Sequence, residues 1–222
     1  MDIALFTSGG LDYLFRWGHF LAGITWIGIL YYFNFVQTEY FKEAEDSHRS
    51  GAIQKLVPRA LWWFRWGAML TFLTGCWLLA KLGAYASVDI MVGATLGTLM
   101  FLNVWMVIWP NQKIIIASAT QVAQGGEALP AAAAAAPKAG LASRTNTLFS
   151  IPMLFFMGSS AHMTSGTFSS ASTAAIGASL VVIFALEANG LFGKQGVMTS
   201  VKGVITSGFV LTAVLYGIIA VL

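Results

Sequence analysis

Six stretches of about twenty predominantly apolar residues recur along this chain, at about 13–36, 61–82, 89–109, 146–166, 173–192 and 203–222. Each is long enough to cross roughly 30 Å of hydrocarbon as a helix. In that medium every backbone N–H and C=O must be satisfied within the segment, which leaves little choice of secondary structure. Only 9% of the 222 residues are charged while 57% are hydrophobic, too few charges to cover a soluble domain of this length. The expected fold class is therefore an all-α integral membrane protein, a single membrane domain of about six transmembrane helices. The fourth stretch is the least uniform, since Pro152 lies within it and GSSAHMTSG closes it.

The connecting segments orient the bundle. Lys42, Arg49, Lys55, Arg59 and Arg65 flank the first connection, Lys113, Lys138 and Arg144 the third, and Lys194 and Lys202 the fifth. The other side holds Arg16 and Lys81, a division of ten against two. By the positive-inside rule the odd connections are expected to be cytoplasmic and both termini outside. The third connection, about 117–143, contains QGGEALPAAAAAAPKAG and is expected to be a cytoplasmic Ala/Pro/Gly-rich connector with at most a short helix. The N-terminal MDIALFTSGG lacks the basic region of a signal peptide, so the first apolar run is expected to stay as a helix. The net charge of +3 reflects this sorting by membrane side and is no nucleic-acid signal. The single cysteine, Cys76, leaves no internal disulfide, thiolate zinc cluster or cysteine-held iron–sulfur cluster, and there is no CxxCH for a covalent c-type haem.

Two histidines lie inside apolar stretches, where ionisable side chains are costly and tend to be functional. His19, in RWGHFLAGITWIG, falls about six residues, or roughly 9 Å, below the outer end of the first helix. His162, in MGSSAHM, lies near the outer end of the fourth, which runs the opposite way. Both imidazoles should sit in the outer leaflet at similar depth. Gly23 and Gly158 each lie one turn deeper than their histidine on the same face, so each histidine is expected above a notch without a side chain. Two axial imidazoles at matching height over smooth walls suit one haem b, with His19 and His162 as iron ligands. Polar packing across helices and a copper or other metal site are the alternatives. Arg16, one turn above His19, suits a haem propionate or an anionic substrate, or simply snorkels. Met157 and Met163 are more in keeping with packing than ligation, and His48, in EAEDSHRSG, reads as solvated.

Glu187 is the one acid well within an apolar run. A carboxylate there must be neutral or paired, and Arg59, Arg65 and Arg144 are the expected partners for an inter-helix clamp, a proton-handling role being the alternative. PRALWWFRWG, with Arg59, Trp62, Trp63, Arg65 and Trp66, reads as an interfacial aromatic belt. NVWMVIWPNQK is its counterpart on the third helix, which Pro110 is expected to end.

The strings WGHFLAGITWIGILYYFNFVQ, PRALWWFRWGA, NVWMVIWPNQK and ASRTNTLFSIPMLFFMGSSAHM occur in this order and resemble the membrane domain of the bacterial urate hydroxylase family, the urate oxidase N-terminal domain. The resemblance runs from the first helix through the fourth. It implies a multi-helix membrane enzyme that oxidises urate and passes electrons to a cytochrome c, fused at the C-terminus in full-length members. The motifs carry over Arg16, Trp17, His19, Trp26, Asn111, Arg144, Asn146 and His162. This chain ends in GFVLTAVLYGIIAVL, so a separate cytochrome c is the expected acceptor.

The leading expectation is thus a haem b membrane oxidoreductase of the urate hydroxylase type in a bacterial inner membrane, with a quinone in the bilayer as a possible partner. An accessory subunit of a larger respiratory or other membrane complex is the alternative. A transporter ranks last, because the two halves share no matching motif.

Overall fold

A computed structural model describes residues 4–222 as an almost wholly helical bundle without strands among those residues. The chain is a multi-pass membrane protein: five helical segments, Ser8–Glu43, Val57–Tyr85, Val88–Ala123, Thr173–Phe192 and Val201–Val221, are long and apolar enough to cross a bilayer. The helices are α1 (Ser8–Tyr31), α2 (Thr38–Glu43), α3 (Asp46–Lys55), α4 (Val57–Leu82), α5 (Val88–Leu102), α6 (Trp109–Ala123), α7 (Pro130–His162), α8 (Thr173–Phe192) and α9 (Val201–Val221). Serine and threonine start several of them: the side chains of Thr7, Ser87, Ser172 and Ser200 accept from free N–H groups in the first turns of α1, α5, α8 and α9.

Two of these rods are longer than any bilayer requires. A π-helical segment, Tyr32–Gln37, joins α1 to α2 without a break, and a second, Asn103–Ile108, joins α5 to α6. Each continuous rod has 36 residues, about 54 Å at 1.5 Å per residue. Both run on to the end where most Lys and Arg lie, here called the basic end. Pro110 does not end the helix as expected. It lies two residues past the π-helical segment, so the carbonyl its ring would meet in a regular helix, that of Met106, belongs to the widened ladder.

The segment expected as a connector is also mostly helix. After a short turn the chain enters α7 at Pro130, an N-terminal position that suits proline, and AAAAAA has the highest helix propensity of any side chain. Ala135, Ala139 and Ala142 are buried in the contact with neighbouring helices. The 33-residue α7 touches α1, α5, α6, α8 and α9 and forms the centre of the bundle. The fourth apolar stretch is its second half, and α7 stops at His162.

Around α7 the helices form two tightly packed pairs. α1 lies along α4, where a Cβ added to Gly67 would come within 3.1 Å of the Trp26 backbone nitrogen and 3.3 Å of the Ala22 carbonyl oxygen. α5 lies along α7, with Gly93 against the backbone of Met153 and Met157. Glycine is needed at Gly67 because two backbones meet there. At the end opposite the basic one, the 163–172 segment folds back over α5: Val88 N–H donates to the Gly166 carbonyl and Phe168 N–H to that of Ala86. Asp89, fully buried, accepts from Ser159 Oγ (2.8 Å) and from the Ser165 backbone N–H (2.7 Å), tying this segment and α7 to α5.

Trp62, Trp63 and Trp66 stand on the exposed face of α4 near the basic end, as an aromatic belt requires. Arg65 instead lies over the Trp109 ring at 3.7 Å, linking α4 to α6. Gly67→Leu is expected to destabilise the protein by about 1–3 kcal/mol through overpacking. Gly28→Leu, at a position with no neighbour within 4 Å, leaves the melting temperature nearly unchanged. Thermal melts of the two variants side by side in detergent check the contrast.

Candidate functional site

Two groups of polar side chains stand out in the apolar bundle, one toward each end. The first contains the histidines. Tyr31 Oη and Ser150 Oγ are hydrogen-bonded at 2.9 Å, which fixes the register of α1 against the antiparallel α7. His19 lies twelve residues from Tyr31 and His162 twelve residues from Ser150, both toward the end opposite the basic one. Each is therefore about 18 Å along its helix from the same cross-link. Gly23 and Gly158 are each eight residues from it, again at equal depth.

His19 is held by α4. Its Nδ1 is 3.0 Å from Thr74 Oγ1, and its ring rests on Gly75, where an added Cβ would lie 3.1 Å from Cε1. Thr74 has one hydroxyl proton, and Oγ1 is 2.6 Å from the Leu70 carbonyl oxygen that receives it. His19 must then be the donor, so Nδ1 carries the proton and Nε2 presents a free lone pair. A histidine that ligates a metal is arranged in this way, its second nitrogen tied to a neighbouring acceptor. Thr74 and Gly75 were not identified from the sequence, because which helix faces His19 is a property of packing.

His162 is exposed at the last turn of α7, and Gly158 has no neighbour within 4 Å. Gly23, by contrast, faces α4, with Thr71 Cγ2 at 4.0 Å. The structure thus brings His19 and Gly23 together against α4 and puts His162 and Gly158 on an open face of α7. No hydrogen bond joins the two imidazoles among the described residues. Arg16 is exposed near His19 and makes no ion pair among those residues. Trp17 is exposed, whereas Trp26 is buried in the core. His19 thus offers a free Nε2 on an anchored ring and His162 an exposed imidazole at similar depth on a different face of the bundle, donor atoms of the kind that can hold a haem iron.

The second group lies toward the basic end and centres on α7. Asn103 Nδ2 donates to Asn146 Oδ1 (3.0 Å) and to Glu187 Oε2 (3.1 Å), while Asn146 Nδ2 donates to the Met100 carbonyl (2.9 Å). Glu187 is thus bonded by an amide on the rod of α5 and α6, not by the arginines expected for it. The geometry is that of a clamp joining α5, α7 and α8. Asn34 similarly donates to the Leu30 carbonyl and to Ser143 Oγ (2.8 Å), joining α1 to α7. Asn34 and Asn103 each fall in a π-helical segment, where an inserted side chain and a widened turn occur together. Asn111 only bonds its own helix, at the Val107 carbonyl.

Beside this network, between the rod of α1 and α2, α4, α6 and α7, lies a cavity of about 280 Å³. Its floor is formed by buried Phe64, Asn34 and Arg144, and its rim by Lys42 and Thr199. Arg144 is only 4% exposed, and its Nη1 has no hydrogen-bond partner. The amide oxygen of Gln37 on the same wall is likewise buried without a partner.

Asn103→Leu is expected to lower stability by about 1–3 kcal/mol, since it strands the Glu187 and Asn146 oxygens in the core. Glu187→Gln keeps an oxygen for Asn103 and should cost less than about 1 kcal/mol. Melting temperatures of the two variants test whether the carboxyl serves as a clamp, which an equal loss in both would refute.

The family model for the urate oxidase N-terminal domain matches residues 82–220. No curated protein and no solved structure matches the chain. The matched span contains the Asn103, Asn146 and Glu187 network, Arg144 and His162, and it extends over α8 and α9, which the motif resemblance did not reach. It begins at the end of α4, so His19 rests on the motif resemblance and on geometry. With more than half of its length matched, the chain belongs to the urate oxidase N-terminal family.

Proposed function

We propose that this protein is a haem b-binding membrane oxidoreductase of the urate hydroxylase type, in which His19 and His162 are the axial ligands of one haem and electrons pass to a separate c-type cytochrome. The observation that carries the reading is the pair of imidazoles at equal distance from the Tyr31–Ser150 cross-link, one with Nε2 free and Nδ1 anchored. Haem supplies a one-electron carrier whose potential is set by its ligands and surroundings. The remaining work falls to the chain. Thr74 holds the His19 ring in one tautomer and one orientation. Gly75, without a side chain, leaves room for the ring against α4. Asp89 and the serines it binds hold the last turn of α7, and with it His162, against α5. Arg16, exposed one turn from His19, is available to a propionate or to an acidic patch on a soluble carrier. Both histidines lie toward the end opposite the basic one, which in this reading, by the positive-inside rule, is the outer face, where a soluble cytochrome would have access. A quinone would exchange electrons with the same site from within the bilayer.

The test is a reduced-minus-oxidised visible spectrum of the purified protein together with His19→Ala and His162→Ala. The expected result is a low-spin b-type spectrum, absent from both variants and reduced by urate in the wild type. Thr74→Val should keep the ligand but weaken haem retention by about 10–100-fold. A folded wild type without haem, or a spectrum that survives loss of either histidine, would sink the assignment and favour an accessory subunit of a larger complex.

A further inference from the structure

At the basic end, tryptophans and cations alternate across the seam between α4 and the rod of α5 and α6. Arg59, exposed in the first turn of α4, shares an open cleft with Trp62 and Trp63, whose rings meet edge to face at 4.9 Å. Trp66, one turn farther along the same exposed face, meets Trp105 of the opposite rod at 5.7 Å. Arg65 lies 5.7 Å from the Trp105 ring and 3.7 Å from that of Trp109, and Lys113 Nζ is 5.6 Å from the Trp109 ring. Tryptophan on its own would only anchor the helices at the headgroup level. The interleaved cations add a charge that the protein does not balance.

Arg59, Arg65 and Lys113 form no ion pair among the described residues, and Glu39 and Asp46, on the neighbouring α2 and α3, are engaged by Lys42 and Arg49. Arg65 Nε is enclosed, but its Nη atoms are neither enclosed nor hydrogen-bonded, so the guanidinium keeps free donors while packed on Trp109. Arg59 lies six residues, or about 9 Å, nearer the basic end than Arg65, and Lys113 four residues, or about 6 Å, beyond Trp109. With Arg65 and Trp109 in contact, Arg59 and Lys113 stand at similar heights and Arg65 lies deeper. Below them, Leu70 and Leu73 continue the exposed face of Arg59, Trp62 and Trp66 at helical spacing toward the middle of α4. Charge at the interface with an apolar strip leading inward from it matches a molecule that has an anionic head and a hydrocarbon tail.

We propose that this seam is a binding site for an anionic glycerophospholipid of the leaflet at the basic end, its phosphate held by Arg59, Arg65 and Lys113 and an acyl chain lying along Leu70 and Leu73. Guanidinium groups suit phosphate oxygens, and basic residues beside an anionic membrane surface each strengthen the attraction. The site is separate from the two histidines and stands whether or not they hold haem.

The test is titration of the purified protein in detergent with phosphatidylglycerol or phosphatidylcholine, read by native mass spectrometry. Phosphatidylglycerol is expected to bind at least tenfold more tightly than phosphatidylcholine. Arg59→Gln, at an exposed position that leaves the packing intact, should weaken phosphatidylglycerol about fivefold, and Arg65→Gln at least as much, with phosphatidylcholine unchanged. Lys202→Gln, at the same end but on α9, which packs on α7 and α8, should change neither lipid more than about twofold. Equal affinity of the wild type for both lipids would overturn the proposal, as would unchanged phosphatidylglycerol binding in Arg59→Gln. An equal loss in Lys202→Gln would also overturn it, since the whole end would then attract anions without a site. Displacement of the lipid by millimolar inorganic phosphate would assign the cations to a soluble anion instead.

Discussion

A helix can sit at the centre of a membrane bundle only if its polar groups find partners there, because hydrocarbon offers none. α7 meets that condition along much of its length. Asn146 is held by Asn103 and the Met100 carbonyl, Ser150 by Tyr31, Ser143 by Asn34, and Ser159 by Asp89. These bonds reach α1 and α5 directly, and Asn103 extends them to Glu187 on α8. The other helices take their positions from this set of contacts, and the close glycine approaches at Gly67 and Gly93 tighten it.

The same constraint separates the two ends of the molecule. Toward the basic end the polar contacts coincide with two π-helical segments. Each disturbs a regular ladder, and each directs an asparagine from an otherwise apolar helix onto α7. A cavity lies beside these segments, with Arg144 and Gln37 among its lining residues. Toward the other end the helices stay regular, and the polar side chains are His19 on Thr74, the buried Asp89 under its serine loop, and the exposed His162 at an open helix end. A well-bonded centre is the arrangement expected where buried polar groups must find their partners within the bundle.

Much of this was readable in advance, for reasons that differ from residue to residue. A similar depth for His19 and His162 was expected from rise per residue and alternating helix direction, and the Tyr31–Ser150 bond gives a reference point from which the same counting can be made. The Ala-rich segment was misread because Pro and Gly suggested a connector, whereas alanine propensity and the neighbouring α6 favoured helix. Pro110 was expected to end a helix and does not, since the preceding π-helical turn removes its steric penalty. Glu187 was matched to arginines by charge, yet its partner is a neutral amide brought near by α5 packing on α7. Asn34 and Asn103, polar residues in apolar runs, were passed over in the sequence, and their place in the buried network emerged only from the packing of their helices on α7.

The sequence by itself determined the medium, the helices and the approximate height of each polar group, because hydrophobic length and helical rise are local properties. Tertiary structure decided which helix each group faces. Rotation and neighbour choice depend on every side chain at an interface at once, and no local pattern encodes them. That is why Thr74 and Gly75 emerge as the partners of His19, Asn103 as that of Glu187, and Arg144 as a buried charge beside an open cavity.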